Sequence, residues 1–359
     1  MQNDGQLERI RLVEPQPGMP AQALPGLDQL LAHTKRGKYV FSGAVFAILA
    51  VIGVVALPDV GPGVAAMLIV GPGLLAYTSV RMLVVTSGMA GLAASSFTAV
   101  TVAPDGMRVT GTRVSLRLPD ERWLVFRTTE PNRLLIAGLR RVWLLGPDAR
   151  GRVCVLVPSG IRLHRARLSD APASGSTLVE PAVREPLRPG DDPVLASTLR
   201  TAGRRLLITA GVFALIAATA LWAGIDSAVR THFRSTGLIT AGFVLAFAML
   251  FLAGQVLLVW SKQRNFLPAN AGWFELRVSL AAPFVTNASG VSVLTGYATL
   301  PDNSVHTFRT ARIDAALAAN IAMTGQLWAI GPFQRGKPIP IGLPGYPLIG
   351  QVNLDVGNA

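Results

Sequence analysis

The residues able to do chemistry are few and dispersed. Four histidines, His33, His164, His232 and His306, stand apart with no i, i+4 or similar ligand spacing, and Cys154 is the only cysteine. One thiol excludes a zinc cluster and an internal disulfide. A nucleophile needs a base within hydrogen-bond reach. The nearest approach is Ser159 five residues before His164, which ordinary strand-end residues explain better. Of the 36 glycines, none falls in the spacing of a phosphate loop or a dinucleotide fingerprint. These patterns predict no catalytic residue, no metal, no cofactor and no enzyme.

What the sequence does offer is cationic. Lysine and arginine total 33 against 20 acidic residues, a net charge of +13. Lys35, Lys38, Lys262 and Lys337 are the only lysines, so the excess is nearly all arginine. Thirteen arginines face six acidic residues between Ser87 and Ala171, and seven basic residues face four acidic ones from Ser261 onward. The densest groups are Arg140 with Arg141, and Arg162, Arg165 and Arg167. Near anionic headgroups each could gain about 1 kcal/mol, falling off within a Debye length. These five are therefore the candidate contacts to anionic lipid or to a partner protein. Solvated arginines obeying a sidedness bias would give the same counts. Nucleic acid is not expected, because it calls for exposed aromatics among the basic residues. Trp123 and Trp143 occupy strand positions that suggest core.

The elements that carry these residues are set by a polarised composition. Half of the 359 residues are hydrophobic, only 15% are charged, and the mean hydropathy is +0.44. This excludes disorder and a conventional soluble enzyme. Four apolar runs, 39–57, 64–85, 206–225 and 238–260, reach the length of about 20 residues that crosses a bilayer, and Arg81 is their only charge. Hydrocarbon forces such spans to be helical. Lys35, Arg36 and Lys38 precede the first, Arg204 and Arg205 the third, and Lys262 and Arg264 follow the fourth. By the positive-inside rule both termini and both polar regions are cytoplasmic, against the local exception of Arg230 and Arg234. The expected location is the cell membrane, multi-pass. A cleaved signal peptide fits poorly with 38 residues containing Pro15, Pro17, Pro20 and Pro25 ahead of the first run. Gly43 with Ala47, Ala210 with Ala214, and Gly242 with Ala246 are small residues four apart that suit close helix packing.

The polar regions read as strands. Val114, Leu116 and Leu118 alternate with Arg113, Ser115 and Arg117, which predicts aliphatics inward and the polar set outward. Pro104-Asp105-Gly106 predicts a hairpin between 100–102 and 107–109, and 146–151 predicts another. Asn287 to Gly290 predicts a turn between 274–280 and 291–294, and 315–322 is the one helical patch. Leu118-Pro119-Asp120 and Phe126-Arg127-Thr128 recur as Leu300-Pro301-Asp302 and Phe308-Arg309-Thr310. Trp143 with Gly146-Pro147 recurs as Trp328 with Gly331-Pro332.

The expected fold is an α+β integral membrane protein, a tandem duplication of a transmembrane hairpin followed by a small antiparallel β-barrel-like module. Its parts are a cytoplasmic tail with a juxtamembrane helix (1–38), a hairpin (39–86), a β module (87–168) and a flexible linker (169–190). A second juxtamembrane helix (191–205), hairpin (206–260) and β module (261–359) follow. The expected function is a non-enzymatic scaffold or accessory subunit of a membrane assembly. Its partners would be membrane lipids and a partner protein or a second copy. A transporter or channel component is the alternative. It would use the kink at Gly71-Pro72-Gly73, but 249–251 has no matching break and no span holds an ionisable residue at mid-depth.

Overall fold

A computed structural model describes residues 10, 12–33, 36–55, 69, 72–73, 76–77, 79–80, 92, 95–148, 151–158, 160–180, 188–230, 236–264, 267, 271–287, 290–332 and 337–355. The chain divides into two compact units. One comprises residues 1–34, 88–201 and 266–359, and the other 35–87 and 202–265.

In chain order the helices and strands begin with α1 (Leu27–His33) and α2 (Arg36–Val55). Next come β1 (Phe97–Thr101), β2 (Met107–Thr110), β3 (Arg113–Arg117), β4 (Trp123–Arg127) and α3 (Glu130–Leu139). They are followed by β5 (Arg141–Leu145), β6 (Val153–Leu156), β7 (Leu163–Ser169) and β8 (Thr177–Leu178). The long helices are α4 (Pro193–Arg230) and α5 (Thr236–Arg264). The last third holds β9 (Gly272–Leu280), β10 (Val291–Ser292), β11 (Thr295–Thr299), β12 (Val305–Thr310), β13 (Ile313–Asp314) and α6 (Ala315–Thr324). It ends with β14 (Gln326–Gly331), β15 (Ile339–Gly342) and β16 (Ile349–Asp355).

Six of the later strands close a barrel in the order β11-β12-β16-β15-β14-β9. Closure depends on β9, which pairs with β14 along its first half and with β11 along its second. At the β9–β11 crossing a Cβ on Gly296 would stand 2.1 Å from the Ser279 carbonyl, so only glycine lets the two backbones approach. Helix α6 packs into this module with Ala315 to Ile321 all buried. Asp314 caps its N-terminus by accepting from Ala316 N at 2.9 Å, and Gly325 ends it in the left-handed region.

The earlier strands form an eight-stranded sheet, β1-β5-β6-β7-β4-β3-β2-β8, rather than a closed barrel. Its pairing follows the same order. Phe97 faces Leu145 as Trp273 faces Ile330, and Met107 faces Leu116 as Val278 faces Ala298. Ten residues separate Phe97 from Met107 where five separate Trp273 from Val278. The extra length breaks one continuous strand into β1 and β2. The corner at Pro104-Asp105-Gly106 is therefore a real turn, closed by Gly106 N to Ala103 O, but not the hairpin that the sequence suggests. Its two strands pair with β5 and β3 instead of each other. The hairpin across 146–151 does form, as β5 against β6. Gly290 N donates to Asn287 O as the expected turn requires, with 288–289 outside the described residues, and β9 pairs with β11 and β10 with β13.

Both modules repeat finer features. Leu118 N bonds Arg122 O and Leu300 N bonds Ser304 O, around left-handed Glu121 and Asn303. Ten-residue helices α3 and α6 follow, and each ends on a left-handed residue, Arg140 or Gly325. The Gly146-Pro147 and Gly331-Pro332 peptides are both cis. Helix α3 is absent from the sequence expectation. Pro131 and Gly138 lower its propensity, but proline in a first turn is preorganised, and Leu135, Ile136 and Ala137 are buried beneath it.

Three more segments differ from expectation. Ser115, on the outward face of β3 between Arg113 and Arg117, is nevertheless fully buried, because the following chain crosses that face and Ala173 N donates to its Oγ at 3.0 Å. The expected linker is structured in part, since β8 pairs with β2, while 181–187 lies outside the described residues. The expected N-terminal tail is a packed strap over residues 12–33. Gly18 N bonds Phe97 O, Phe97 N bonds Met19 O, and Pro20 bridges to Ser96. Ala21, Leu24 and Leu27 then bury against Phe97, Trp143, Leu145, Cys154, Leu156 and Leu163, the outer face of β1, β5, β6 and β7. The strap also reaches the closed barrel: Val13 N donates to Asn320 Oδ1 at 2.9 Å, and Gln29 Nε2 donates to Phe284 O.

In the second unit, α4 from Ala202 onward and α5 run antiparallel. Gly203 meets Trp260 near one end and Gly224 meets Gly242 near the other, where a Cβ on Gly242 would stand 2.9 Å from Ala220 O. Both helices are long and apolar enough to cross a membrane. Two such helices are found among the described residues where the sequence suggests four spans. Helix α2 has an apolar run over Gly43–Ile52 that is shorter than a span, and most of 64–85, with Gly71 and Arg81, lies outside the described residues. Arg205, the expected end of a juxtamembrane helix, lies within α4, which continues through it without a break.

Candidate functional site

The five arginines singled out by density part company in the structure. Arg140 is the left-handed residue that ends α3, and its guanidinium donates to Ala103 O and Val179 O, each at 3.2 Å. It ties the β1–β2 corner to the segment after β8. Arg141 pairs with Glu14 of the strap and lies 5.7 Å over the Trp143 ring. Arg162 sits 3.7 Å from Asp314, the cap of α6, and so links the open sheet to the closed barrel's helix. These three hold the chain to itself. Arg165 and Arg167 are exposed on β7.

Strand register gives those two their neighbours. On β3, β4 and β7 the inward positions are Val114, Phe126 and Ala166, which meet across the sheet and bury in one core. The alternate positions face out. Arg113 is directly opposite Arg127, and Arg167 is directly opposite Val125. Because Phe126 faces Ala166, the next position outward brings Arg127 beside Arg165. Arg113, Arg127 and Arg165 thus form a cross-strand row with Arg167 beside it, all exposed. Strands are spaced about 4.8 Å apart, so the three Cα atoms span roughly 10 Å. Arg113 and Arg127 are the residues that counting along the chain misses. Their signal is the alternation of 113–117 together with the Phe126-Arg127-Thr128 motif, which fixes the facing strand.

Five carboxylates of this module are already engaged. Asp105 and Glu121 pair with Arg117, Asp120 with Arg122, Glu130 with Arg200 and Asp148 with Arg152. The Arg122 guanidinium, hydrogen-bonded to Asp120, holds that carboxyl below the usual carboxylate range, and the Ser304 hydroxyl does the same for Asp302 at the matching turn. The Glu121 carboxylate raises the Arg117 guanidinium. Among the described residues, no carboxylate pairs with Arg113, Arg127, Arg165 or Arg167.

Other groups are positioned for structure. His164 sits half-buried between Asn132 (Nδ2 to Nε2, 3.4 Å) and the Arg127 carbonyl (3.1 Å from Nδ1), and burial pushes its pKa down. Ser159 lies outside the described residues. Burial pushes the Cys154 thiol up to about 11, which makes it inert. No group of three histidine, cysteine or acidic side chains able to hold a metal occurs among the described residues. On the closed barrel an open groove of about 530 Å³ is lined by Thr295, Tyr297, Thr307, Arg309, Asn353 and Asp355 among others.

The expected packing residues divide. Gly43, Ala210, Gly242 and Ala246 are buried, with Gly43 against Ser79, whereas Ala47 and Ala214 are exposed. Ala217, Ala220, Ala223 and Ala253 are the further small residues buried in α4 and α5.

Comparison of the chain with protein-family models, curated proteins and solved structures returns no match.

Proposed function

We propose that the chain is a membrane-embedded, non-enzymatic scaffold or accessory subunit that presents a fused pair of β modules on the cytoplasmic side of the cell membrane. The observation that carries this reading is the surface of α4 and α5. Sixteen large apolar side chains on the two helices are 38–75% exposed, Phe247 and Val229 most of all. Left in water at about half exposure, each forgoes roughly 1 kcal/mol. Together that is about 16 kcal/mol, as large as the 5–15 kcal/mol that stabilises a typical fold. Lipid removes the deficit. The apolar runs at 39–57 and 64–85 complete a four-span arrangement in this reading, and the flanking arginines and lysines orient it.

Fusion of the two modules favours a platform over two independent readers. Strap, sheet, barrel and the first turns of α4 belong to one compact unit with a shared core. We further propose that the modules arose by tandem duplication. Common strand order, matched Leu-Pro-Asp turns and matched helix ends support it.

Alkaline carbonate washing of membranes, followed by purification of the full chain in mild detergent, tests both halves. The chain is expected to stay in the membrane pellet and to purify with a reproducible partner or as a self-associated species. Release by carbonate would overturn the membrane placement. A monomer that repeatedly brings down nothing would overturn the scaffold.

A further inference from the structure

We infer that the row Arg113–Arg127–Arg165, with Arg167 beside it, is a docking surface for the phosphate groups of anionic phospholipid headgroups. The inference rests on the membrane placement proposed above and identifies which part of the cytoplasmic unit touches lipid.

Like charges placed directly opposite on neighbouring strands destabilise a sheet unless an anion lies between them. Here Arg113 faces Arg127 in register, and Arg165 continues the row. Among the described residues no carboxylate forms an ion pair with the row. The carboxylates at Asp105, Asp120, Glu121, Glu130 and Asp148 are held by Arg117, Arg122, Arg200 and Arg152, outside the row. Arginine in particular suits phosphate, because its planar fork donates two parallel hydrogen bonds to the oxygens.

The rest of that face argues for a membrane over other polyanions. Its apolar half is covered by the strap, so the basic half stands without a hydrophobic pocket of the kind a protein hot spot uses. Trp123, on the outward register of β4, is half-buried with Arg108 5.9 Å over its ring, so a cation already occupies a position that a base would stack on. A row of exposed cations matches a surface that offers many mobile phosphates. The chain carrying the row also continues through α4 into an apolar helix, which keeps headgroups at high local concentration.

The test uses the full chain in lipid nanodiscs, made either of phosphatidylcholine alone or of phosphatidylcholine with 30% phosphatidylglycerol. Phenylglyoxal labelling read by mass spectrometry reports each arginine. At about 1 kcal/mol per residue near an anionic surface, labelling should fall about five-fold at Arg113, Arg127, Arg165 and Arg167 in the anionic discs. It should recover in 0.5 M salt, while exposed Arg309 on the closed barrel serves as the reference. Equal labelling of the row in both discs overturns the inference. So does protection in phosphatidylcholine discs by a single-stranded oligonucleotide or by polyglutamate when phosphatidylglycerol gives none. The R113Q/R127Q/R165Q/R167Q variant should remain in discs and lose the lipid-dependent protection of backbone amides in β3, β4 and β7. A chain that no disc retains refutes the membrane placement instead, and this inference with it.

Discussion

Asp192 ties the start of α4 to the loop between β15 and β16, and its removal has a calculable cost. It is almost fully buried just ahead of α4. Oδ1 accepts from Val194 N at 2.8 Å and Leu195 N at 3.1 Å, an N-cap, while Oδ2 accepts from Gly345 N at 2.9 Å in the loop between β15 and β16. A lost cap costs about 1 kcal/mol. A lost hydrogen bond to a charged group costs about 1.5–3 kcal/mol. Because one side chain makes both, D192A is expected to destabilise the junction by about 2–4 kcal/mol. D192S keeps the cap but not the reach to Gly345, so it should lie between D192A and wild type. D192N keeps one acceptor oxygen and turns an amide donor toward the Gly345 N–H or the cap, so it should also lie between. Hydrogen exchange of the detergent-solubilised full chain reads this locally. A 2 kcal/mol loss accelerates exchange about thirty-fold at Val194, Leu195 and Gly345, with little change in the far strands of the open sheet. If Gly345 exchanges at the wild-type rate in D192A while Val194 and Leu195 accelerate, the side chain is only a cap and the junction argument fails.

His164 and Cys154 give two further tests. Burial holds the native His164 pKa below its ordinary 6.5. Between the native value and about pH 6.5 the unfolded chain therefore binds a proton that the native chain does not, and stability must fall as pH is lowered through that window. Thermal melts from pH 7.5 to 5.5 should lose less in His164→Gln than in wild type, and equal slopes would count against the assignment. The Cys154 thiol, pushed up to about 11, should resist maleimide at pH 8 in the native chain and react quickly in denaturant. Stoichiometric native labelling within minutes would contradict its burial in the face that the strap covers.

Local patterns were legible in the sequence wherever a single periodicity decided them. The inward run Val114, Leu116 and Leu118, the β5–β6 hairpin and helix α6 are all places where propensity and burial agree. What could not be read was long-range. Nothing local distinguishes a turn that returns a strand to its neighbour from the corner at Pro104-Asp105-Gly106, where the partners are β5 and β3. The strap is Pro-rich and looks like a tail because its stability comes from Phe97, Trp143 and Leu163, residues distant in the sequence. Density along the chain also misjudged the arginines. Arg140 and Arg141 are adjacent but consumed by internal contacts, whereas Arg113, Arg127 and Arg165 become neighbours only through pairing. Length and apolarity marked α4 and α5 as helices long and apolar enough to cross a membrane, since those two properties need no tertiary information.

The differences between the two modules matter more for function than their likeness. On the duplication proposed above, five added residues at the β1–β2 corner interrupt the strand that closes the other barrel, and β8 pairs along the β2 so created. The opened sheet then has an outer face shared by the strap, the chain crossing at Ala173 and the arginines. Register carries the comparison further. Arg113 opposite Arg127 corresponds to Thr295 opposite Arg309, a pairing in which one cation has been replaced by a neutral hydroxyl. The like-charge row therefore belongs to the open module alone, and Arg309 instead lines a groove beside Tyr297 and Asp355. Were the basic surface only a by-product of arginine-rich composition, both modules would carry it at matching positions. Its confinement to one of two otherwise corresponding sheets is the pattern expected if the open module alone docks on the anionic surface proposed above.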